Sequence, residues 1–276
     1  MLPNYLEFLV HYMRVSLIIT TYNRPKALFL VLQSIKVQTK LPDEIIIADD
    51  GSDDSTKKCI EEFQKSSTLN IIHSWQSDKG FRAAKSRNKA ISKASSEYVV
   101  VVDGDMILHP KFLQDHIANA EIGYFVQGSR VLLSKEQTNY FIAEKNIYFS
   151  LFSAGLQNRK NSIHSGLLSK IFSKKRNHLR GIKSCNMAFY KQDCIDINGF
   201  NNEFEGWGRE DTEFVVRMLN LGINRKTLRF NAIQCHLWHP LSSKKPLRKN
   251  DLLLKLTIEN NLKFCENGIN FYFQNT

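Results

Sequence analysis

The chain has 276 residues, enough for one large α/β domain, and its 42% hydrophobic and 24% charged residues are ordinary for a globular protein. This composition excludes an intrinsically disordered chain. The net charge of +11 indicates an anionic partner, such as nucleotide phosphates, a membrane surface or nucleic acid. A basic surface that serves only solubility explains the charge as well as any one of these partners.

The cysteines and the apolar runs indicate a cellular compartment. The five cysteines are scattered and none has CxxC spacing, so the sequence predicts neither a disulfide framework nor a zinc site. No apolar run reaches the roughly 18–20 residues that cross a bilayer. Residues 1–14 also lack the basic-then-apolar order of a signal peptide. We therefore expect a cytoplasmic protein.

Strands and helices alternate through the first hundred residues. Short apolar, β-branched runs predict strands at 15–20, 44–48, 70–74 and 98–102. Helical spacing of apolar residues predicts a helix at 26–38, and the capping residues Asp53-Asp54-Ser55 predict one that runs to about residue 65. A further helix is predicted at 83–94. This alternation predicts an α/β fold with a doubly wound, mostly parallel sheet and right-handed crossovers.

The rest of the chain is less regular. Residues 124–133 predict one or two strands, and residues 134–180 are polar, aromatic and then basic. Order returns with a predicted strand at 184–190 and a predicted helix at 210–222. The last part contains an amphipathic stretch at 250–263. No repeat and no Gly/Ser-rich linker interrupts the chain, which predicts a continuous catalytic body.

Polar residues follow the predicted strands of the first half. They are Asn23, Asp49, Asp50, Asp103 and Asp105. Open α/β sheets bind ligands at the carboxyl ends of their strands. The sequence therefore predicts a ligand site at this edge.

Asp103-Gly104-Asp105 follows four consecutive valines. Two carboxylates two positions apart at a buried strand end can bind one hard cation, and that cation would bridge the diphosphate of a nucleotide-sugar. The alternative is a turn or a helix cap, which is how an isolated DxD usually arises. The strand context favours metal binding.

Trp207-Gly208-Arg209-Glu210-Asp211 places adjacent acids at a predicted helix N-terminus. A favourable interaction with the helix dipole explains such a pair by itself. The glycines at 206 and 208 and the tryptophan indicate instead a loop that folds over a sugar. A carboxylate there can accept the proton of an acceptor hydroxyl.

Two further segments carry candidate ligands. In Cys235-His236-Leu237-Trp238-His239-Pro240, either histidine can complete a metal shell as a neutral imidazole or serve only as a hydrogen-bonded structural residue. Arg82 and Arg87 can meet diphosphate oxygens in bidentate fashion, whereas Lys85 fits a solvated helix face better.

Together these segments resemble the inverting GT-A glycosyltransferases of the large bacterial family that includes chondroitin and hyaluronan synthases. VSLIITTYNRP, IIIADDGSDDST, AKSRNKAI and VVDGDM carry the N-terminal part of the resemblance. Residues 184–240 resemble the C-terminal half that chondroitin polymerase shares with β-1,4-galactosyltransferases. The resemblance covers about residues 14–120 and 183–240.

The resemblance implies a role for each matching position. Thr20, Tyr22 and Arg24 would line the nucleotide site, Asp50 would contact the base, and Asp103 would lie near ribose and metal. Asp105 and one of the two histidines, His236 or His239, would ligate the metal. Asp211 would be the catalytic base, Glu210 would contact sugar hydroxyls, and Trp207 would stack on a sugar. One departure is Arg209, which stands where the family has glycine and would alter acceptor choice or recognise an acidic acceptor.

The resemblance also implies a division of the chain and a reaction. Residues 1–123 would form the nucleotide-sugar-binding half of one GT-A domain, 124–240 its acceptor-binding and catalytic half, and 241–276 a basic amphipathic tail. The predicted activity is Mn²⁺- or Mg²⁺-dependent transfer from a UDP-sugar to a glycan acceptor in surface polysaccharide or lipopolysaccharide synthesis. The alternatives are a sugar nucleotidyltransferase and a non-catalytic nucleotide-sugar-binding protein. Nucleic acid is not an expected partner, because the basic residues lack a recognisable reading motif.

Basic residues also lie beside apolar ones in two segments, which indicates peripheral attachment to the inner face of the cell membrane. In 166–183, the apolar residues are Leu167, Leu168, Ile171, Phe172 and Leu179. In 244–263, they are Leu252, Leu253, Leu254, Leu256 and Ile258. The alternative is that these residues pack on the domain and the lysines form a solvated face. Membrane attachment would suit a lipid-linked acceptor.

Overall fold

The apolar runs of the first hundred residues form buried strands, as the sequence predicts. The structure is a computed structural model that describes residues 13–240 and 247–273. Lys244, Lys245 and the start of the predicted tail lie outside the described residues. Among the described residues, no helix combines the length and the apolar character that a bilayer span requires.

The first half is a parallel β/α unit. Its strands are β1 (Val15–Thr21), β2 (Glu44–Asp49), β3 (Ile71–Trp75) and β4 (Tyr98–Asp103). Its helices are α1 (Pro25–Lys36), α2 (Asp54–Lys65) and α3 (Ala83–Lys93). Proline begins α1, where a missing N–H costs nothing, and the Asp53 carboxylate caps α2 by accepting from the amide of Ser55 at 3.1 Å. The predicted order of strands and helices is confirmed.

The second half adds short strands. They are β5 (Met106–Leu108), β6 (Tyr124–Gln127), β7 (Ser129–Leu133), β8 (Leu156–Gln157), β9 (Lys174–Lys175), β10 (Asn186–Tyr190), β11 (Asn224–Thr227) and β12 (Ile233–His236). The helices are α4 (Phe112–Ala118), α5 (Lys135–Ala143), a 3₁₀ turn (Arg159–Ser162), α6 (Gly166–Phe172), α7 (Lys191–Asp196), α8 (Glu210–Leu221), α9 (Leu247–Glu259) and α10 (Asn270–Phe273).

The large sheet has the order β3-β2-β1-β4-β10-β6-β11-β9. β1, β2, β3 and β4 are parallel, whereas β10 runs antiparallel to both β4 and β6. The sheet is therefore mixed at its centre, although β6 and β11 are again parallel. Because β10 reverses the direction once on each side, β4, β6 and β11 end at the same edge.

A second sheet begins where the chain passes Gly128. The predicted stretch 124–133 is two strands, because β6 belongs to the large sheet and β7 to a smaller one of order β5-β12-β7-β8. A Cβ at Gly128 would lie 2.5 Å from the Asn186 side chain and 2.6 Å from the carbonyl oxygen of Ala232. Only glycine permits this close passage between the sheets.

The core lies on both faces of the large sheet. Alternate residues of β1, such as Leu17 and Ile18, enter different clusters, one beneath α1, α2 and α4 and the other beneath α3 and α8. A third cluster joins the small sheet to the opposite side of α1 and to α5. Burial on both faces explains why the central strands read as continuous apolar runs rather than alternating ones.

Helix α9 packs against α8 and against the loop that precedes it. The amide of Asn250 donates to the carbonyl of Gly208 at 2.9 Å, and the Asp251 carboxylate accepts from Nε of Arg209 at 2.6 Å. The Thr257 hydroxyl donates to the buried carboxylate of Glu213 at 3.1 Å. The amphipathic stretch of the tail is thus a support for residues 205–213.

Candidate active site

The predicted ligand edge is formed by the ends of β1, β2 and β4. Thr20 stands opposite Asp103 in the register of β1 and β4, and Thr21 stands opposite Asp49 in that of β1 and β2. Gly104 donates its amide to the carbonyl of Thr20 at 2.7 Å, which draws the segment after β4 over the end of β1. The polar strand ends are therefore neighbours in space.

The Arg87 side chain connects β1, β4 and α8 at the site. Its guanidinium donates to the Thr20 hydroxyl at 3.2 Å, to the Glu210 carboxylate at 3.2 Å and to the Asp103 carboxylate at 3.4 Å. The side chain is buried, and the two acids raise its pKa against the opposing effect of desolvation. One cation thus fixes the ends of β1 and β4 and the start of α8 relative to each other.

Asp105 lies at the centre of a cluster of potential metal ligands. Its Oδ2 is 3.3 Å from Nε2 of His239 and 3.7 Å from Nε2 of His236. The three residues offer ligand atoms that all lie within 4.8 Å of one another. The Oδ1 atom of Asp105 is buried without a hydrogen-bond partner, so a donor or a cation is needed there. The structure brings both candidate histidines to Asp105, whereas the Asp103 carboxylate faces Arg87.

The protonation states suit a cation site. Desolvation, followed by the charge of Arg130, lowers the pKa of His236 to about 3, so its imidazole is neutral and able to ligate. Burial and the charge of Asp103 raise the pKa of Asp105. Arg24 offsets part of that effect, since its Nη1 lies 2.6 Å from Asp105 Oδ2.

Glu210 and Asp211 begin α8, and Arg87 joins Glu210 to Asp103. Desolvation and the adjacent Glu210 charge raise the pKa of the Asp211 carboxyl to about 7, although Arg87 opposes the shift. The amide and hydroxyl of Thr212 both donate to Oδ1 of Asp211. Glu210 is buried, and its Oε2 has no partner. A carboxyl whose pKa lies near neutrality is suited to accept a proton as a general base.

The loop before α8 has an unusual backbone. Gly206, Gly208 and Arg209 all have positive φ, at 74°, 101° and 79°. Arg209 therefore takes a conformation that favours glycine, and the ion pair with Asp251 holds it there. The Trp207 side chain in this loop is 42% exposed, which leaves its ring available to a ligand.

The predicted nucleotide residues differ in their surroundings. Asp50 is buried and accepts from the amide of Arg82 and the side chain of Gln76, both at 2.6 Å. Tyr22 is exposed and donates to Asp78 at 3.0 Å. Asp49 bonds the Ser52 amide and His73, so it shapes the turn after β2.

The sequence does not reveal the structural role of Arg87 or the positions of Arg130, Asn250 and Asp251. Arg87 was expected as a ligand of diphosphate, and nothing in the sequence shows that it is buried between two acids. Asp251 and Asn250 each lie 42 residues from their partners in the loop. No motif points to Arg130, and the only local signal is that it follows Gly128 by two residues.

The chain matches the family described as glycosyl transferase family 2 over residues 16–194, which is more than half of its length. The chain belongs to this family. Residues 168–239 also match the family described as the N-terminal domain of galactosyltransferase. The resemblance drawn from the sequence is thereby confirmed for both halves.

Similar curated proteins include a hyaluronan synthase of Pasteurella multocida and a chondroitin synthase of Escherichia coli. Each is 28% identical, over 77% and 75% of this chain and over 23% and 32% of their own lengths. The chain thus spans a third or less of these relatives. A validoxylamine A glucosyltransferase of Streptomyces hygroscopicus is 25% identical over 77% of this chain and 49% of its own length.

A similar solved structure is residues 1–349 of Staphylococcus aureus TarS in complex with UDP. It has a TM-score of 0.62 and 19% identity, and the match covers 95% of this chain and 69% of TarS 1–349. A complex of the same TarS fragment with UDP-GlcNAc gives a TM-score of 0.61. The predicted GT-A fold is confirmed.

Proposed function

We propose that this protein is a metal-dependent, inverting glycosyltransferase that transfers a sugar from a UDP-sugar to a glycan acceptor. The observation that carries the proposal is the pair of contacts made by Arg87, which holds the DxD strand end and the Glu210-Asp211 helix start to one guanidinium. This arrangement unites a diphosphate-binding edge with a candidate base. The complexes of TarS with UDP and UDP-GlcNAc support a nucleotide-sugar donor.

Asp211 would act as the base of a single displacement. The acceptor hydroxyl oxygen bonds the anomeric carbon of the donor, the bond from that carbon to the diphosphate oxygen breaks, and the hydroxyl proton moves to the Asp211 carboxylate. Attack from the face opposite the leaving diphosphate inverts the anomeric configuration. Glu210 would orient sugar hydroxyls, and Trp207 would stack on a sugar ring.

The cluster of Asp105, His236 and His239 fits a divalent metal. One carboxylate with an unpartnered oxygen and two imidazoles form a suitable ligand set, and imidazole ligands favour Mn²⁺ over Mg²⁺, which prefers oxygen. A metal bound there would neutralise charge on the departing diphosphate. Thr20, Tyr22, Arg24, Asp50, Arg82 and Asp103 would surround the nucleotide.

A panel of UDP-sugars with Mn²⁺ tests the proposal through UDP release and the anomeric configuration of the product. We expect Asp105→Ala to abolish metal-supported donor binding, whereas Asp196→Asn, a change to an exposed acid, should leave it intact. Turnover that survives excess EDTA would exclude metal dependence, and a product with retained configuration would exclude inversion. Binding without UDP release would favour a binding protein, and synthesis of a nucleotide-sugar with release of pyrophosphate would favour a nucleotidyltransferase.

We also propose peripheral attachment to an anionic membrane, which would suit a lipid-linked acceptor. On α6, Leu167 and Ile171 are 72% and 61% exposed beside Lys170 and the lysines of β9. On α9, Leu252 and Leu256 are also exposed beside Lys249 and Lys255. Apolar side chains that do not pack on the domain suit insertion at the headgroup level, with each nearby cation adding about 1 kcal/mol.

Flotation with vesicles of phosphatidylcholine and phosphatidylserine at low and high salt tests this attachment. We expect binding that weakens with salt and that falls in the Leu167→Ser/Ile171→Ser variant. Substitution of the exposed Ile122 by serine, on another loop, is the matched control. No binding at low salt would leave a soluble acceptor as the better hypothesis.

A further inference from the structure

A cleft of about 280 Å³ continues the ligand edge of the large sheet beyond β10. It lies where β6 and β11 end, and the turn at Gly128 and the segment before β10 close its sides. Its volume is at the small end for ligand pockets, which suits a single sugar rather than a long oligosaccharide. The polar lining includes Gln127, Ser129, Arg130, Lys183, Arg225 and Arg229.

The charge of this cleft has one sign. Arg130, Lys183, Arg225 and Arg229 contribute four cations, and the described lining contains no aspartate or glutamate. Arg225 is buried and donates to the carbonyls of His178 and Arg180, so it is a fixed positive charge. Cations that no carboxylate neutralises in a concave site attract an anion.

Buried polar atoms in the cleft also lack partners. Nε of Arg130, Oγ of Ser129 and Oε1 of Gln127 are all buried without a hydrogen bond. Nη1 of Arg130 has only a weak contact, 3.5 Å from the sulfur of Cys185. Buried polar groups are normally satisfied, so this combination fits a ligand that brings anionic oxygens to Arg130 and a hydroxyl to Gln127.

The cleft adjoins the reacting groups. Cys185 lines the cleft and directly precedes Asn186, which pairs with Val102 of β4, the residue before Asp103. Desolvation lowers the pKa of Lys183 and the charge of Asp211 opposes that effect, so the two side chains interact electrostatically. In the order of the large sheet, the cleft lies beyond β10 at β6 and β11. The candidate nucleotide residues lie on the other side of β10, at β1 and β2.

We propose that this cleft binds the anionic group of an acidic acceptor sugar, a carboxylate or a phosphate ester, through Arg130 and Lys183. The proposal rests on the proposed glycosyl transfer and names the class of its acceptor. An anion held there places a neighbouring hydroxyl of the same sugar toward Asp211. The two cations are specificity-determining residues, since a neutral sugar would leave them unpaired.

Binding measured by NMR in the absence of donor tests this assignment. The probes are methyl β-glucuronide, methyl β-glucoside 6-phosphate and the neutral methyl β-glucoside. We expect at least one anionic probe to bind about tenfold more tightly than the neutral one, and the carboxylate and phosphate arms identify which anion is preferred. A single charge-assisted pair of this kind is worth about that factor.

The variants Lys183→Gln and Arg130→Gln/Lys183→Gln should remove the preference. Lys57→Gln/Lys58→Gln, which removes two exposed charges from α2, should keep it. Lys183 is exposed, so its single substitution tests the cleft even where the double variant is unstable. No preference in the wild-type protein, or a preference that survives in both variants, would overturn the assignment.

Release of UDP separates this result from the proposed function. Discrimination between probes without any turnover of UDP-sugars would reject the glycosyl transfer and keep an anion site. Turnover on acidic acceptors that is unchanged in both variants would reject the anion site and keep the glycosyl transfer.

Discussion

The two sides of the site are built by different means. At the ends of β1 and β4, side chains are fixed by contacts with the buried Arg87 of α3. The loop at 206–209 depends on positive φ angles and on partly exposed contacts with α9. The difference shows that the candidate nucleotide side is held by buried contacts near the sheet, whereas the loop beside the candidate base is held by a separate helix.

The largest effect should come from Asp211→Asn, which changes the candidate base and leaves the contacts between its loop and α9 in place. We expect kcat to fall about 10²–10⁴-fold with donor affinity nearly intact, because the amide keeps the shape but cannot accept the proton. Steady-state kinetics with matched donor binding measurements would show it. Near-wild-type turnover would place the base elsewhere, with Glu210→Gln as the next variant, and Asp196→Asn is the control.

Removal of Arg87 should damage the nucleotide side. Arg87→Met leaves the Asp103 and Glu210 carboxylates without their cation, so we expect a loss of about 3–5 kcal/mol in the free energy of unfolding. Denaturant titration measures it. Lys93→Met, an exposed position on the same helix, should change stability little. Equal effects of the two substitutions would refute the central role of Arg87.

The pH profile should link the two sides. Because the pKa of Asp211 is raised to about 7, kcat/KM should rise about tenfold per pH unit below that value and level off above it, as the carboxyl loses its proton. Arg87 lowers this pKa, so the limb should move to higher pH in Arg87→Met. If the same rise of kcat/KM with pH persists in the residual activity of Asp211→Asn, another group is responsible for the rise.

The smallest effect should come from the loop support. Asp251→Asn removes one partly exposed ion pair, worth about 0.2–1 kcal/mol, so we expect kcat to fall about 1.4–5-fold. High salt should reduce the wild-type rate in the same direction. Glu259→Gln, which breaks an ion pair on the same helix away from the loop, is the control. An unchanged kcat would mean that the hydrogen bonds of Asn250 suffice.

The sequence predicts the parallel half of the fold because each strand there is a continuous apolar run that ends in polar residues. Strands β1 to β4 and their helices are accordingly found close to the expected bounds. The reversal at β10 was not predicted, since pairing direction depends on partners far along the chain. Residues 134–180 gave no regular pattern because their strands, β8 and β9, have only two residues each.

The candidate site divides in the same way. Asp105 and the two histidines could be named from local motifs, but only the fold shows that both histidines meet one carboxylate. Arg130 and Asp251 act through long-range contacts, of 55 and 42 residues with Cys185 and Arg209, which no local pattern encodes.

Chain order gives the support from α9 a consequence for biosynthesis. Residues 206–211 are synthesised before Asn250 and Asp251, and chains begin to fold during synthesis from the N-terminal side. The nascent sheet can therefore close around Arg87 while the catalytic loop still lacks its partners. A chain that lacks α9 would carry residues 206–211 without Asn250 and Asp251, so we expect the candidate base to gain its full support only with the synthesis of α9.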